Sequence, residues 1–250
     1  MKQGIGKEFM DRTRYKYLEE SDQSKGLPQP PLELGPEEGR RTIALPAPEE
    51  VEADPIGLRE AMENRRSVRD YAEEPLALAE LSWLLWCTQG VKGVADAFGS
   101  AGATHRTVPS AGARHPLETY LLVNRVEGLP PGLYKFLAVD HRLVEVSLEE
   151  GLADRVAEAC YRQRFIKECA AAFIWVAVAY RTTWRYVERG YRYMHLDAGH
   201  VCQNLYLAAE AIGCGACAVG AFYDEEINGL LGIDGEEQFV IYAGTVGKKK

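Results

Sequence analysis

The stretch from Tyr193 to Phe222 constrains the fold of this chain more than any other part. Residues 193–212 carry a long helical pattern, Gly213 follows at the C-cap position, and the next residues, Cys214-Gly-Ala-Cys-Ala-Val-Gly-Ala221, are almost all small. Small side chains let a backbone approach a neighbour or a flat ligand closely. Taken alone, this run reads as a tightly packed buried strand.

The rest of the chain surrounds that unit with helices and a few strands. Asp54-Pro55 is a helix-start signal, with a helix expected to about Asn64. Pro75 opens a second helix, with Leu78, Leu81, Leu84 and Leu85 spaced for one face. Residues 91–112 are rich in Gly, Ala and Ser and read as loop. Strands are expected over 119–126 and 171–180, and a hairpin over 133–146 turns at Asp140-His141. Residues 153–169 read as helical, 224–231 as a short helix and 238–246 as a last strand. No internal repeat is present, and the pattern implies an α+β domain over residues 54–250. Residues 1–53 differ. Prolines at 28, 30, 31, 36, 46 and 48 stand among acidic residues and predict an extended, Pro-rich arm. It is either a loose tail or a wrap around a neighbouring subunit.

The formal charge of −8 argues against nucleic acid as a partner, because binding phosphates along a duplex needs a basic surface. Two small basic clusters, Arg65-Arg66-Ser67-Val68-Arg69 and Lys248-Lys249-Lys250, suit one phosphate group. The apolar run 170–180 is about half the length of a spanning helix, and the start lacks a signal-peptide core. A soluble, cytoplasmic protein with buried reduced thiols at its six cysteines is expected.

Several chemistries can be set aside. Cys214 and Cys217 form a CxxC without a second pair or a nearby histidine to complete a zinc site, so no metal is expected. His195 and His200 miss the zincin spacing, and GxSxG, Walker and GxGxxG motifs are missing. Four segments remain: the basic run 65–69, the loop Pro109-Ser110-Ala111-Gly112-Ala113-Arg114-His115-Pro116, the small-residue run 213–222, and the Lys-rich terminus. Each also has a plain reading, respectively a solvated helix end, a tight turn, a packed strand and a solvated tail.

In this order, the four segments resemble the nitroreductase-like flavoenzyme superfamily, over nearly four-fifths of the chain. Tyr191-Arg-Tyr193, Ala198-Gly-His200 and Gln203-Asn204-Leu205 are similar to the SagB-type branch, the azoline dehydrogenases of peptide modification. The resemblance implies an α/β sandwich, an intertwined homodimer and FMN at the subunit interface. It implies that Arg65, Arg66, Ser67 and Arg69 hold the phosphate and ribityl chain, and that Lys248 or Lys250 adds a positive contact. Pro109, Ser110, Ala111, Gly112 and Ala113 would lie against the isoalloxazine from the partner. Ala218, Val219, Gly220 and Ala221 would line the flavin, with backbone amides at its N5 edge.

Ala113 stands where many relatives carry Asn. The Lys-Tyr dyad of the azoline branch reads here Arg185-Tyr186, and arginine is a poor base. The resemblance therefore implies ping-pong hydride transfer, with NAD(P)H as a donor, to a small-molecule or peptide substrate that is azoline-like or nitro- or quinone-like. A catalytically idle flavin-bearing scaffold in a peptide-modifying complex is the alternative.

Overall fold

A computed structural model describes residues 4–51, 56–97 and 100–250. The arm contributes a short helix α1 (Ile5–Arg12) and a strand β1 (Thr42–Ala44). Then follow α2 (Leu58–Asn64), α3 (Leu78–Gln89), the hairpin β2 (Val91–Ala97) and β3 (Ser100–Arg106), and the strands β4 (Leu117–Val123), β5 (Gly132–Leu137) and β6 (Arg142–Ser147). The second half holds α4 (Leu152–Ala159), α5 (Phe165–Glu168), β7 (Ala171–Val178), α6 (Ala179–Tyr186), α7 (Gly190–Glu210), β8 (Cys214–Val219), α8 (Asp224–Leu231) and β9 (Gln238–Lys248).

Seven strands form one sheet in the order β1-β6-β5-β4-β7-β9-β8, with antiparallel neighbours throughout. Side chains alternate across a strand, so β7 sends Phe173 and Trp175 to one face and Ile174 and Val176 to the other. The first face packs on α3 and α7 through Leu81, Leu84, Leu85, Met194 and Leu205. The second packs on α4, α5 and α8 through Leu152, Val156, Ile166, Ile227 and Leu231. A sheet covered on both faces explains why β4 and β7 read as unbroken apolar runs. The α+β sandwich is what forms. Among the described residues, no helix is long and apolar enough to cross a membrane.

Three local expectations change. The stretch read as loop over 91–112 holds the β2–β3 hairpin, held by backbone pairing such as Val94 with Thr104, which small side chains do not announce. The helix expected over 153–169 splits into α4 and α5, because Tyr161 and Arg162 both adopt a left-handed backbone (φ 56°). The strand read to Tyr180 ends at Val178, where α6 begins. The helix-start signal Asp54-Pro55 falls outside the described residues, and α2 is capped by Gly57.

The arm lies along its own chain. β1 pairs with β6, Ile43 opposite Leu143. The Leu34 amide donates to Glu118 Oε1 (3.0 Å), Lys135 Nζ donates to the Leu34 carbonyl (3.0 Å), and Arg181 Nε donates to the Pro31 carbonyl (2.8 Å). Nearer the start, Arg192 Nε donates to Thr13 Oγ1 (2.6 Å) and Arg189 to the Thr13 carbonyl (3.0 Å). Cations at that point suit the negative end of α1.

Candidate cofactor and substrate site

The basic segment leaves the end of α2 and runs beside β8. The Val68 amide donates to the Ala216 carbonyl (2.9 Å), and Ser67 bridges Ala216 in parallel. Approach this close requires Gly215: a Cβ there would stand 2.6 Å from Val68 Cγ2. Tyr206, buried on α7, ties the pieces together. Its hydroxyl meets Ser67 Oγ at 2.9 Å and accepts the Ala218 amide at 2.8 Å, while the Arg65 guanidinium lies 5.2 Å from its ring centre. Arg69 lies over the Phe165 ring (5.8 Å).

The chain terminus reaches the same place. The Ala72 amide donates to the Lys248 carbonyl (3.0 Å), and Tyr71 bridges Lys249. The three terminal lysines are each paired, Lys248 with Glu80, Lys249 with Glu210 and Lys250 with Asp70. Arg65, Arg66 and Arg69 are different: among the described residues, no carboxylate stands within ion-pair distance of them. Arg66, Ser67 and Arg69 are exposed. Past Val219 the backbone is open, since a Cβ on Gly220 would meet only Tyr242 Cε2, at 3.7 Å. Uncompensated guanidiniums, a hydroxyl and accessible backbone make a site chemically suited to a phosphate dianion with a flat group beyond it.

The second segment sits elsewhere on α7. Ser110 Oγ donates to Asp197 Oδ2 (2.6 Å), the Ala111 amide donates to Asp197 Oδ1 (3.3 Å), and the His115 amide donates to Ser110 Oγ (2.9 Å). Burial pushes the Asp197 carboxyl up, against the Ser110 and Ala111 hydrogen bonds and His200, which draw it down. Gly112 is left-handed (φ 59°), and a Cβ on it would lie 2.4 Å from the Tyr186 hydroxyl and 3.2 Å from Arg185. Tyr186 packs edge-on against Tyr193 (4.9 Å), whose hydroxyl meets that of Tyr15 in the arm at 2.6 Å.

The structure therefore gathers the predicted residues into two groups. Arg65 and Ser67 meet Ala218 through Tyr206, next to Arg66 and Arg69 in the chain, and Val219, Gly220 and Ala221 follow at the open end of β8, whereas Lys248 lies opposite Cys214 at the other end of that strand and Lys250 pairs with Asp70. Pro109, Ser110, Ala111, Gly112 and Ala113 join Arg185 and Tyr186. Their anchors on α7, Tyr206 and Asp197, are separated by a rise of roughly 13 Å at 1.5 Å per residue. Sequence reasoning missed both anchors, and a tyrosine or aspartate within a helix carries no signal of its own. The CxxC thiols lie on opposite faces of β8, Cys214 in one core and Cys217 in the other. Burial pushes the Cys214 thiol up to about 12, so it stays protonated.

Comparison with known proteins gives the following. The model of the Nitroreductase family matches residues 62–248. A Methanocaldococcus jannaschii protein assigned by name to the nitroreductases is 40% identical over 207 residues, 83% of this chain and 96% of that protein. Among solved structures, one similarly assigned from Anabaena variabilis superposes with TM-score 0.64 at 27% identity, over 84% of this chain and 42% of the other. The E. coli microcin synthetase McbBCD complex, with a truncated pro-peptide bound, gives TM-score 0.57 at 19% identity, over 83% of this chain and 78% of that chain, a likeness of fold.

Proposed function

Because the chain belongs to the nitroreductase family, we propose that it is an FMN-dependent oxidoreductase whose cofactor lies between two copies of the chain. The single observation that carries this reading is the division of the site along α7. One end presents uncompensated arginines and open backbone, and the other a strained loop under a tyrosine. Neither half alone would enclose a flavin. A second copy bringing its 109–113 loop to the first copy's Arg65 end would complete the site. Leu58, Met62 and Leu196, each more than half exposed on α2 and α7, offer an apolar surface for that copy.

In this reading, Arg65, Arg66, Ser67 and Arg69 hold the phosphate and ribityl chain. Lys248 and Lys250 lend positive charge while shared with Glu80 and Asp70. The backbone of Gly220 and Ala221 faces the N5 edge, Ala218 and Val219 line the flavin, and the partner's loop covers the ring. When bound, FMN supplies hydride exchange at N5, alternately reduced by a donor such as NAD(P)H and reoxidised by an acceptor. Asp197 fixes the loop through Ser110, and Tyr186 orients whatever lies above Gly112. Arg185 serves as a positive charge and hydrogen-bond donor, not as a base.

The acceptor is a small molecule with a nitro- or quinone-like group, or a modified peptide of the SagB type. The fold shared with a peptide-modifying complex supports the second substrate class. The purified protein is expected to be yellow, to release FMN on heating and to oxidise NAD(P)H with a generic acceptor. A colourless protein that fails to take up added FMN refutes the reading. A yellow protein without turnover identifies the idle scaffold of a peptide-modifying complex instead.

A further inference from the structure

We propose that Arg114, with Arg185 and Tyr186 beside it, recognises a carboxylate carried by the substrate. The inference rests on the reading that the 109–113 loop covers the flavin ring and that Tyr186 orients what lies above Gly112, and it adds the chemical class of what binds there.

Arg114 is only 6% exposed. Its Nε donates to the Gly112 carbonyl (3.1 Å), and its guanidinium lies 5.5 Å from the Trp184 ring centre. Among the described residues, no carboxylate stands within ion-pair distance of it. Burial, followed by the like charge of Arg185 beside it, holds Arg114 below the ordinary arginine range.

The other buried arginines are treated differently. Arg181 is ion-paired with Glu118, and Arg106 faces both Glu33 and Glu118. A buried cation without a counter-charge is costly, and an aromatic face does not replace one.

The backbone holds this arrangement in place. Gly112, Ala113 and His115 all have positive φ (59°, 53° and 44°), so the residues flanking Arg114 are held in conformations that non-glycine residues avoid. Such strain persists where the surroundings over-determine it and concentrates at ligand clamps. The Tyr186 hydroxyl and the Arg185 side chain both close on Gly112, so two guanidiniums and one hydroxyl converge on one loop. A guanidinium fork matches a carboxylate in two parallel hydrogen bonds, with the tyrosine hydroxyl as a third donor.

The test uses full-length protein supplied with FMN, and benzoate and benzamide as probes of equal shape. Benzoate should raise the melting temperature in proportion to the logarithm of its concentration, and benzamide should not. Arg114→Gln should abolish the benzoate effect. With NAD(P)H as donor, it should also raise KM for 4-nitrobenzoate by about tenfold or more, the loss of one charge-assisted pair, while KM for 4-nitrobenzyl alcohol stays within twofold. Arg185→Gln, at a less buried position, should weaken both benzoate readouts and stands in if Arg114→Gln does not fold.

Equal stabilisation by benzoate and benzamide in the unaltered protein overturns the proposal, as does a benzoate effect that survives in the folded variants. Absorbance of the same samples reads the cofactor independently. A colourless protein with a selective benzoate response removes only the flavin reading. A yellow protein indifferent to benzoate removes only this one.

Discussion

Tyr206 shows how much of this site depends on single side chains placed by the fold. Its hydroxyl joins Ser67 to the Ala218 amide, and its ring underlies Arg65, so one residue sets the spacing of the basic segment from β8. If Arg65 and Ser67 bind phosphate, Arg65→Ala and Ser67→Ala should each weaken FMN binding by about 1.5–3 kcal/mol, tenfold or more in affinity. Flavin fluorescence titration measures this, and unchanged affinity in both variants returns the segment to an ordinary helix end. Gly215 is a second sensitive point. Gly215→Ala drives a Cβ into Val68, an overpacking worth about 1–3 kcal/mol of stability. It should lower the urea midpoint and FMN affinity together, whereas stability unaffected by the change would mean that the chains can part at no cost.

At the scale of elements, the arm and the sheet are joined by a buried charge cluster. Glu118 on β4 meets Arg181 of α6, Lys135 of β5 (3.2 Å) and the Leu34 amide of the arm. Burial by itself would push the Glu118 carboxyl up, but Arg181 and Lys135, with the Leu34 amide, hold it below the ordinary range. A carboxylate depressed in the folded state contributes stability above its unfolded value, and that contribution is lost as pH falls through the folded value. The arm should therefore loosen on acidification below the ordinary glutamate range. Limited proteolysis of residues 13–51 across a pH series reads it directly, and cleavage no faster in acid than at neutral pH contradicts it. Glu118→Gln leaves two cations buried without their partner and should cost about 3–5 kcal/mol of stability at neutral pH. It should also flatten the acid limb of the stability curve.

At the scale of the whole molecule, the proposed sharing of the site between two copies would make cofactor affinity a property of assembly. If each flavin needs loops from two copies, occupancy must fall as the protein is diluted through its dimer dissociation. Sedimentation and flavin absorbance followed over the same dilution series should change together. A monomer that stays fully yellow would overturn the shared site. Removal of residues 1–50 deletes β1 and the backbone groups of Pro31 and Leu34 that bond to Arg181, Lys135 and Glu118. The truncated protein should melt lower and hold less flavin at equal concentration. Unchanged melting and occupancy would reduce the arm to a passive covering.

Much of this was readable in the residues. Leu78, Leu81, Leu84 and Leu85 mark α3, the apolar run over 171–178 marks β7, and Asp140-His141 marks the turn between β5 and β6, because periodicity and turn chemistry are local properties. The order of the basic segment, the Ser-Gly loop and the small-residue run pointed to the family before any contact was known. The β2–β3 hairpin and the break between α4 and α5 were not readable, since backbone pairing and left-handed residues at Tyr161 and Arg162 depend on neighbours distant in sequence. The same holds for Asp197, Tyr206 and Arg114. Their roles come from burial and from what faces them across the fold, and a sequence prints neither. Residue order by itself determined the α+β class. Only the packing of α7 against both loops decided which of the predicted residues meet in one chain, because hydrogen bonds and uncompensated charge arise between segments and not within them.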